Sequence, residues 1–240
     1  MAEFIATGRT VPAENGWKWI VEGWNLFKRE PGIWIALIVI FIVISIALAF
    51  IPVLGSIASM VLGPVFIAGL VIGCRALDEG GELKIEHLFA GFRERFGTLA
   101  SIGALYLAAT VVIALFAGLV TGVKLFALMS GGGASDPEAV LSAAVAILLA
   151  VLIMAALMVP VFMAIWFAPP LVVFHQLGAL DALKASFAGC LKNVVPFLVY
   201  GVILLVASIV ASIPFGLGWL VLGPVIAASV YTAYRDIYFS

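Results

Sequence analysis

Of 240 residues, 65% are apolar types and only 10% are Asp, Glu, Lys or Arg, against about a quarter charged in a soluble domain. That balance excludes an ordinary soluble enzyme, and a formal net charge of -1 offers no basic surface for nucleic acid. Two cysteines, Cys74 and Cys190, suggest no disulfide framework.

Residues 1–12 read as a flexible tail, and 13–240 as a single membrane domain. The first predicted element is amphipathic. Trp17, Ile20, Val21, Trp24 and Phe27 recur at helical spacing, with Lys18, Glu22, Asn25 and Arg29 on the other face. Such a helix suits a membrane interface, with Trp17 and Trp24 as its anchors. The first 30 residues mix these tryptophans with charges and no cleavage site follows, so the first span is expected to stay in the mature protein.

Apolar runs then predict spans near 32–52, 56–77, 98–124, 140–168, 196–213 and 217–238. Each is long enough to cross a hydrocarbon core of about 30 Å as a helix. Similar apolar stripes precede the third span (Ile85, Leu88, Phe89, Phe92, Phe96) and the fifth (Leu180, Leu183, Phe187, Leu191, Val194). Eleven of the twelve Lys and Arg fall before span one, between spans two and three or four and five, or at the end. The positive-inside rule therefore predicts both termini in the cytoplasm.

The pattern is threefold. "VLGPVFIAG" at Val61 and "VLGPVIAAS" at Val221 lie in spans two and six, and "PVFMA" at Pro160 lies in span four. Three parallel repeats are predicted, about 13–78, 79–175 and 176–240, each an interfacial helix plus a helical hairpin. Gly63, Pro64, Pro160, Gly223 and Pro224 are assigned to helix shape and close packing. Arg75 and Arg235, in matching places, are assigned to the membrane interface, touching lipid phosphate or helix C-termini. Pro169 and Pro170 are expected to stop the fourth helix.

The middle repeat carries about thirty extra residues between Thr98 and Pro160. Either its apolar hairpin, 123–150, rises above the outer surface and meets a partner or a second copy, or its helices tilt strongly. Lys124 reads as a residue at the outer end of span three, and Gly131, Gly132 and Gly133 as a turn.

Little of this inventory is catalytic. Cys74, His87, His175 and Cys190 are candidate metal ligands by type. None lies at close ligand spacing, and packing thiols and interfacial imidazoles are the preferred reading. There is no Ser-His-Asp pattern, nucleotide fingerprint or pair of intramembrane carboxylates, so no cofactor and no enzymatic role are expected.

"TVPAENGWKWI" at Thr10, "LFKREP" at Leu26, "CRALDEG" at Cys74, "HLFAGFRER" at His87 and "YRDIY" at Tyr234 resemble an uncharacterised family of six-span bacterial inner-membrane proteins. The resemblance implies an all-α fold in the inner membrane and no assigned reaction. A looser similarity is to the membrane domain of some glycerophosphodiester phosphodiesterases, whose catalytic barrel has no counterpart here. The composition and this resemblance lead to a non-enzymatic scaffold, assembly factor or accessory subunit that contacts membrane lipids. The alternative is a transporter or channel for a small or lipid-like solute.

Overall fold

A computed structural model describes residues 3–130 and 136–240, apart from the side chains of Val120, Lys124, Leu125 and residues 127–130. Lys124 and the glycines at 131–133, both singled out in the sequence, thus lie outside the described side chains and residues. Among those described, every extended element is a helix: α1 (Asn15–Phe27), α2 (Pro31–Ala49), α3 (Leu54–Asp78), α4 (Ala90–Glu94), α5 (Phe96–Ser130), α6 (Pro137–Trp166), α7 (Ala168–His175), α8 (Ala179–Lys192), α9 (Val194–Ser212) and α10 (Trp219–Tyr238). A short 3-10 helix, Ile85–Phe89, precedes α4.

Helices stand at all six places where apolar runs predict them. Five are long and apolar enough to cross a bilayer: α2, α3, Phe96–Val123 of α5, Pro137–His175 and α9. The sixth, α10, is formed but less apolar, because Tyr231, Tyr234, Arg235 and Asp236 occupy its second half. Proline sets several boundaries by fixing φ where no intrahelical N–H bond is needed. Pro31 opens α2, and Pro169 and Pro170 sit near the start of α7. The predicted stop at Pro169 is therefore a break followed by a new helical turn. Ser186 holds that break together: its hydroxyl accepts from Phe167 N–H at 2.9 Å and donates to the Met163 carbonyl at 2.7 Å.

The chain divides into two compact units: Met1–Ala104 with Met163–Ser240, and Leu105–Phe162. In the first unit α3 is central: Val65, Ala68, Val71, Cys74 and Leu77 are among its buried residues, whereas α2 buries Trp34 and Leu37. Its core joins Trp19, Trp34, Leu37, Phe167 and Tyr238, each 1% exposed or less. The second unit carries the middle hairpin. Its small residues Ala143 and Ala150 are buried, whereas Leu115, Leu119, Leu141 and Leu148 are each more than half exposed. In that unit a long, apolar helix pair leaves its large side chains outward.

The described part of the N-terminal tail, residues 3–12, lies against the last residues of the chain. Phe4 bridges Phe239 in antiparallel fashion, and Ile5 and Arg9 N–H groups donate to the carbonyls of Tyr238 and Ile237 at 2.9 and 2.8 Å. The tail is held because its backbone groups find partners on the last residues of the chain. Gly8 permits the path: at φ +66° it faces Ile237 so closely that a Cβ would lie 2.9 Å from its side chain.

The glycines differ in their surroundings. Space around Gly63 is open, and a Cβ on Gly223 would meet Ile38 at ordinary contact distances of 3.6–3.8 Å. Neither glycine is needed for a close approach. Close approach occurs elsewhere, at Gly23, whose Cβ would stand 2.8 Å from Val225 O and Ser229 N of α10. Pro64, Pro160 and Pro224 do lie inside α3, α6 and α10, and Pro64 and Pro224 are buried there.

Candidate functional site: a charged cleft beside the paired termini

In the first unit α1 has three faces rather than two. Gly16, Trp19, Gly23, Leu26 and Phe27 are buried, with Thr232 of α10 donating to the Trp19 carbonyl at 2.9 Å. Trp17, Val21 and Trp24, spaced i, i+4, i+7, stay exposed. Lys18, Glu22, Asn25 and Arg29 line an open cleft of 1080 Å³. The predicted apolar stripe is therefore split, since Phe27 packs inward while both predicted anchors, Trp17 and Trp24, remain on the surface.

The opposite walls are the ends of α3, α7 and α10 with part of the tail. Asp236 organises one wall. Its carboxylate accepts from Asn15 Nδ2 at 2.6 Å, Trp19 Nε1 at 2.8 Å and Arg9 Nη2 at 3.0 Å. Asp78 organises the other, accepting from Tyr231 Oη at 3.1 Å and pairing with Arg235. Arg75 donates to Glu79 at 2.8 Å and lies over the Phe174 ring, 5.1 Å from its centroid. Arg29 donates to the Leu77 carbonyl at the C-terminal end of α3, where a cation meets the negative end of the helix dipole. Arg75 and Arg235, predicted from matching sequence positions, thus line one cleft, each paired with a carboxylate.

The four candidate metal ligands are not assembled. Among the described residues, no three His, Cys, Asp or Glu side chains converge. Cys74 and Cys190 are buried free thiols, and burial pushes Cys190 up to about 12, so it stays a protonated packing group. Its neighbour Gly189 faces Tyr238. His175 exchanges a hydrogen bond of 2.6 Å with Tyr234 Oη and stacks on Phe4 at 3.5 Å between ring centroids. His87 lies against Gly73 of α3.

His87 Nδ1 accepts from Lys84 N–H at 3.0 Å, which requires the neutral ring with its proton on Nε2. Burial lowers its pKa from an ordinary value of about 6.5. The unfolded chain then binds a proton that the folded chain resists, so stability falls as pH drops below about 6.5 and levels off below the folded value. His87→Asn keeps an acceptor near Nδ1 without titrating. The wild type is expected to lose thermal stability relative to this variant below pH 6.5 and to match its pH dependence above, as read from unfolding in detergent.

Sequence reasoning passed over Asp236, Trp19 and Asn193. Asn193 is fully buried; it accepts from Val11 N–H and donates to the carbonyls of Arg9 and Gly189, all at 2.8 Å. For Trp19 a signal existed: Gly16 and Gly23 flank it on one helical face, a pattern that lets another helix approach an aromatic side chain. The cleft's acids and cations are held mostly in mutual pairs.

Among known proteins, the chain is 32% identical over 228 residues to a probable inner membrane protein of Burkholderia thailandensis, a match covering 92% of this chain and 82% of the relative. The relative's name gives a location and does not bear on the looser likeness to a phosphodiesterase membrane domain. No family model matches the chain, and no solved structure matches it.

Proposed function

Because the chain belongs to the family of that Burkholderia inner membrane protein, we propose that this multi-pass inner-membrane protein is a non-enzymatic scaffold or accessory subunit. It crosses the membrane six times as three parallel repeats, with both termini in the cytoplasm.

Parity supports six crossings. After five apolar spans the two ends would lie on opposite faces, yet Phe4 pairs with Phe239. α10, with 20 residues and thus about 30 Å of length, is the return crossing. The grouping of cations on the side of the termini supports the cytoplasmic assignment, and a proline inside each of α3, α6 and α10 supports the repeats. α1 and α8 supply interfacial surfaces, where Trp17 and Trp24 and also Leu180 and Leu191 are exposed to membrane lipids.

The observation that carries the scaffold reading is the middle hairpin. α5 has 35 residues and α6 has 30, about 52 and 45 Å against about 30 Å of hydrocarbon. Leu141, Val145 and Leu148 expose large apolar surface along the excess, and surface that lipid does not cover calls for protein. A photo-crosslinker at Leu141 or Val145 in living cells is expected to trap a discrete protein, either a second copy or one partner. The same probe at Leu205 or Val206 of α9 should trap lipid alone. Identical lipid-only adducts from both helices would defeat the scaffold reading.

The cleft favours one second reading, a carrier for a small or lipid-like solute, since a 1080 Å³ opening is the size of a ligand site. Flux of a trapped solute across vesicles holding the purified protein distinguishes it from a scaffold, which leaves flux at the background rate.

A further inference from the structure

The cleft's acids and cations are not equally satisfied. Asp78, Glu79 and Asp236 each accept from fixed donors, whereas Glu22 accepts no hydrogen bond among the described residues. Its side chain is exposed on the cleft wall, where partial desolvation and then repulsion from Asp236 raise its pKa, opposed by Arg235 and Lys18. A carboxylate so placed gains from any cation brought to it. Arg75 spends Nε on Glu79, and Arg235 spends Nη1 on Asp78. Each guanidinium has five N–H donors, so both keep donors for a second acceptor, and both side chains are about half exposed at 50% and 53%.

A simple anion entering here meets four carboxylates, and a simple cation meets five basic side chains. A ligand carrying both charges meets complements of each. One helix face away, the Trp17–Val21–Trp24 stripe of α1 is exposed, and tryptophan settles at the level of lipid headgroups. We propose that this cleft binds the headgroup of an amine-bearing zwitterionic phospholipid, with its phosphate against Arg75 and Arg235 and its ammonium against Glu22. Arginine suits the phosphate because its planar fork takes two oxygens at once. The exposed tryptophan stripe on the adjoining face of α1 suits the level of lipid headgroups, which is why the ligand is taken as a lipid rather than a soluble phosphate ester.

The test uses the full-length protein purified in mild detergent and titrated with short-chain phosphatidylethanolamine or phosphatidylglycerol, with bound lipid counted by native mass spectrometry. Phosphatidylethanolamine is expected to bind about tenfold more tightly, the scale of one charge-assisted hydrogen bond. Glu22→Gln, which loses no hydrogen bond of the fold, should weaken phosphatidylethanolamine about tenfold and leave phosphatidylglycerol unchanged. Arg75→Gln should weaken both. Soluble O-phosphoethanolamine at the same concentration should not displace the lipid. Equal binding of the two lipids by the wild type, or an unaltered preference in Glu22→Gln, overturns the proposal; displacement by O-phosphoethanolamine overturns the lipid assignment.

Discussion

Asn193→Ala is expected to free the N-terminal tail and to cost about 3 kcal/mol of stability. The side chain makes three bonds of 2.8 Å, to Val11 N–H and to the carbonyls of Arg9 and Gly189, and it is fully buried. Each bond contributes about 1 kcal/mol net, and leaving its partner buried without a replacement costs about 1–3 kcal/mol. Water that enters as the tail lifts repays part of that cost, which keeps the total near the lower sum. Asn193→Asp tests the donor role: its carboxylate can accept from Val11 but faces the Arg9 and Gly189 carbonyls with no proton to give, so in this fully buried site it should cost at least as much as alanine. Thermal unfolding in detergent measures the energy. Trypsin measures the tail: cleavage after Arg9 should be slow in the wild type and at least several-fold faster in Asn193→Ala.

Asp236→Ala should be comparably damaging, and for a reason that its ion pair does not supply. The Arg9 partner is 44% exposed and the Asp236 side chain 19% exposed, so screening limits that pair to about 0–1 kcal/mol. Trp19 is different. Its ring is 1% exposed, and its indole N–H donates to Asp236 Oδ2 at 2.8 Å. Loss of the acceptor strands a buried donor and also releases Asn15 Nδ2, which together cost about 3 kcal/mol. Asp236→Asn keeps an acceptor oxygen and gives up the charge, so about 1 kcal/mol is expected. If alanine and asparagine prove equally costly, the charge of Asp236 matters more than its hydrogen bond to Trp19.

What the sequence revealed depended on how much signal each feature writes into its neighbours. Six helices were legible because long apolar runs with few charges must satisfy their backbone internally, and their ends were legible at Pro31 and near Pro169. The paired arginines were legible because Arg75 and Arg235 hold the same register after Pro64 and Pro224. The tail was not, since its bonds to Ile237 and Tyr238 are made by backbone groups that any residue carries. Asn193 gave no signal either, as a lone amide between Lys192 and Val194 reads as one more polar residue beside the predicted apolar stripe. The partition of α1 failed because tryptophan suits both a protein core and a membrane surface, so Trp17 and Trp19 differ in their surroundings and not in their type. Small size permits a close approach without requiring one, so the sequence does not separate Gly63 and Gly223, which have room around them, from Gly23, which is pressed against α10.

The cleft and the parity of the crossings depend on the same feature, the meeting of the first and last residues of the chain. In the proposed topology, Phe4 and Phe239 share a side because α10 returns across the membrane. The most direct test is single reporter cysteines at Glu3, Phe215 and Ser240, probed on intact cells with a membrane-impermeant maleimide, the native Cys74 and Cys190 being buried. Phe215, fully exposed in the turn before α10, is expected to label from outside, with Glu3 and Ser240 labelling only once the membrane is opened. Labelling of Ser240 from outside while Glu3 stays protected would contradict the six-crossing account.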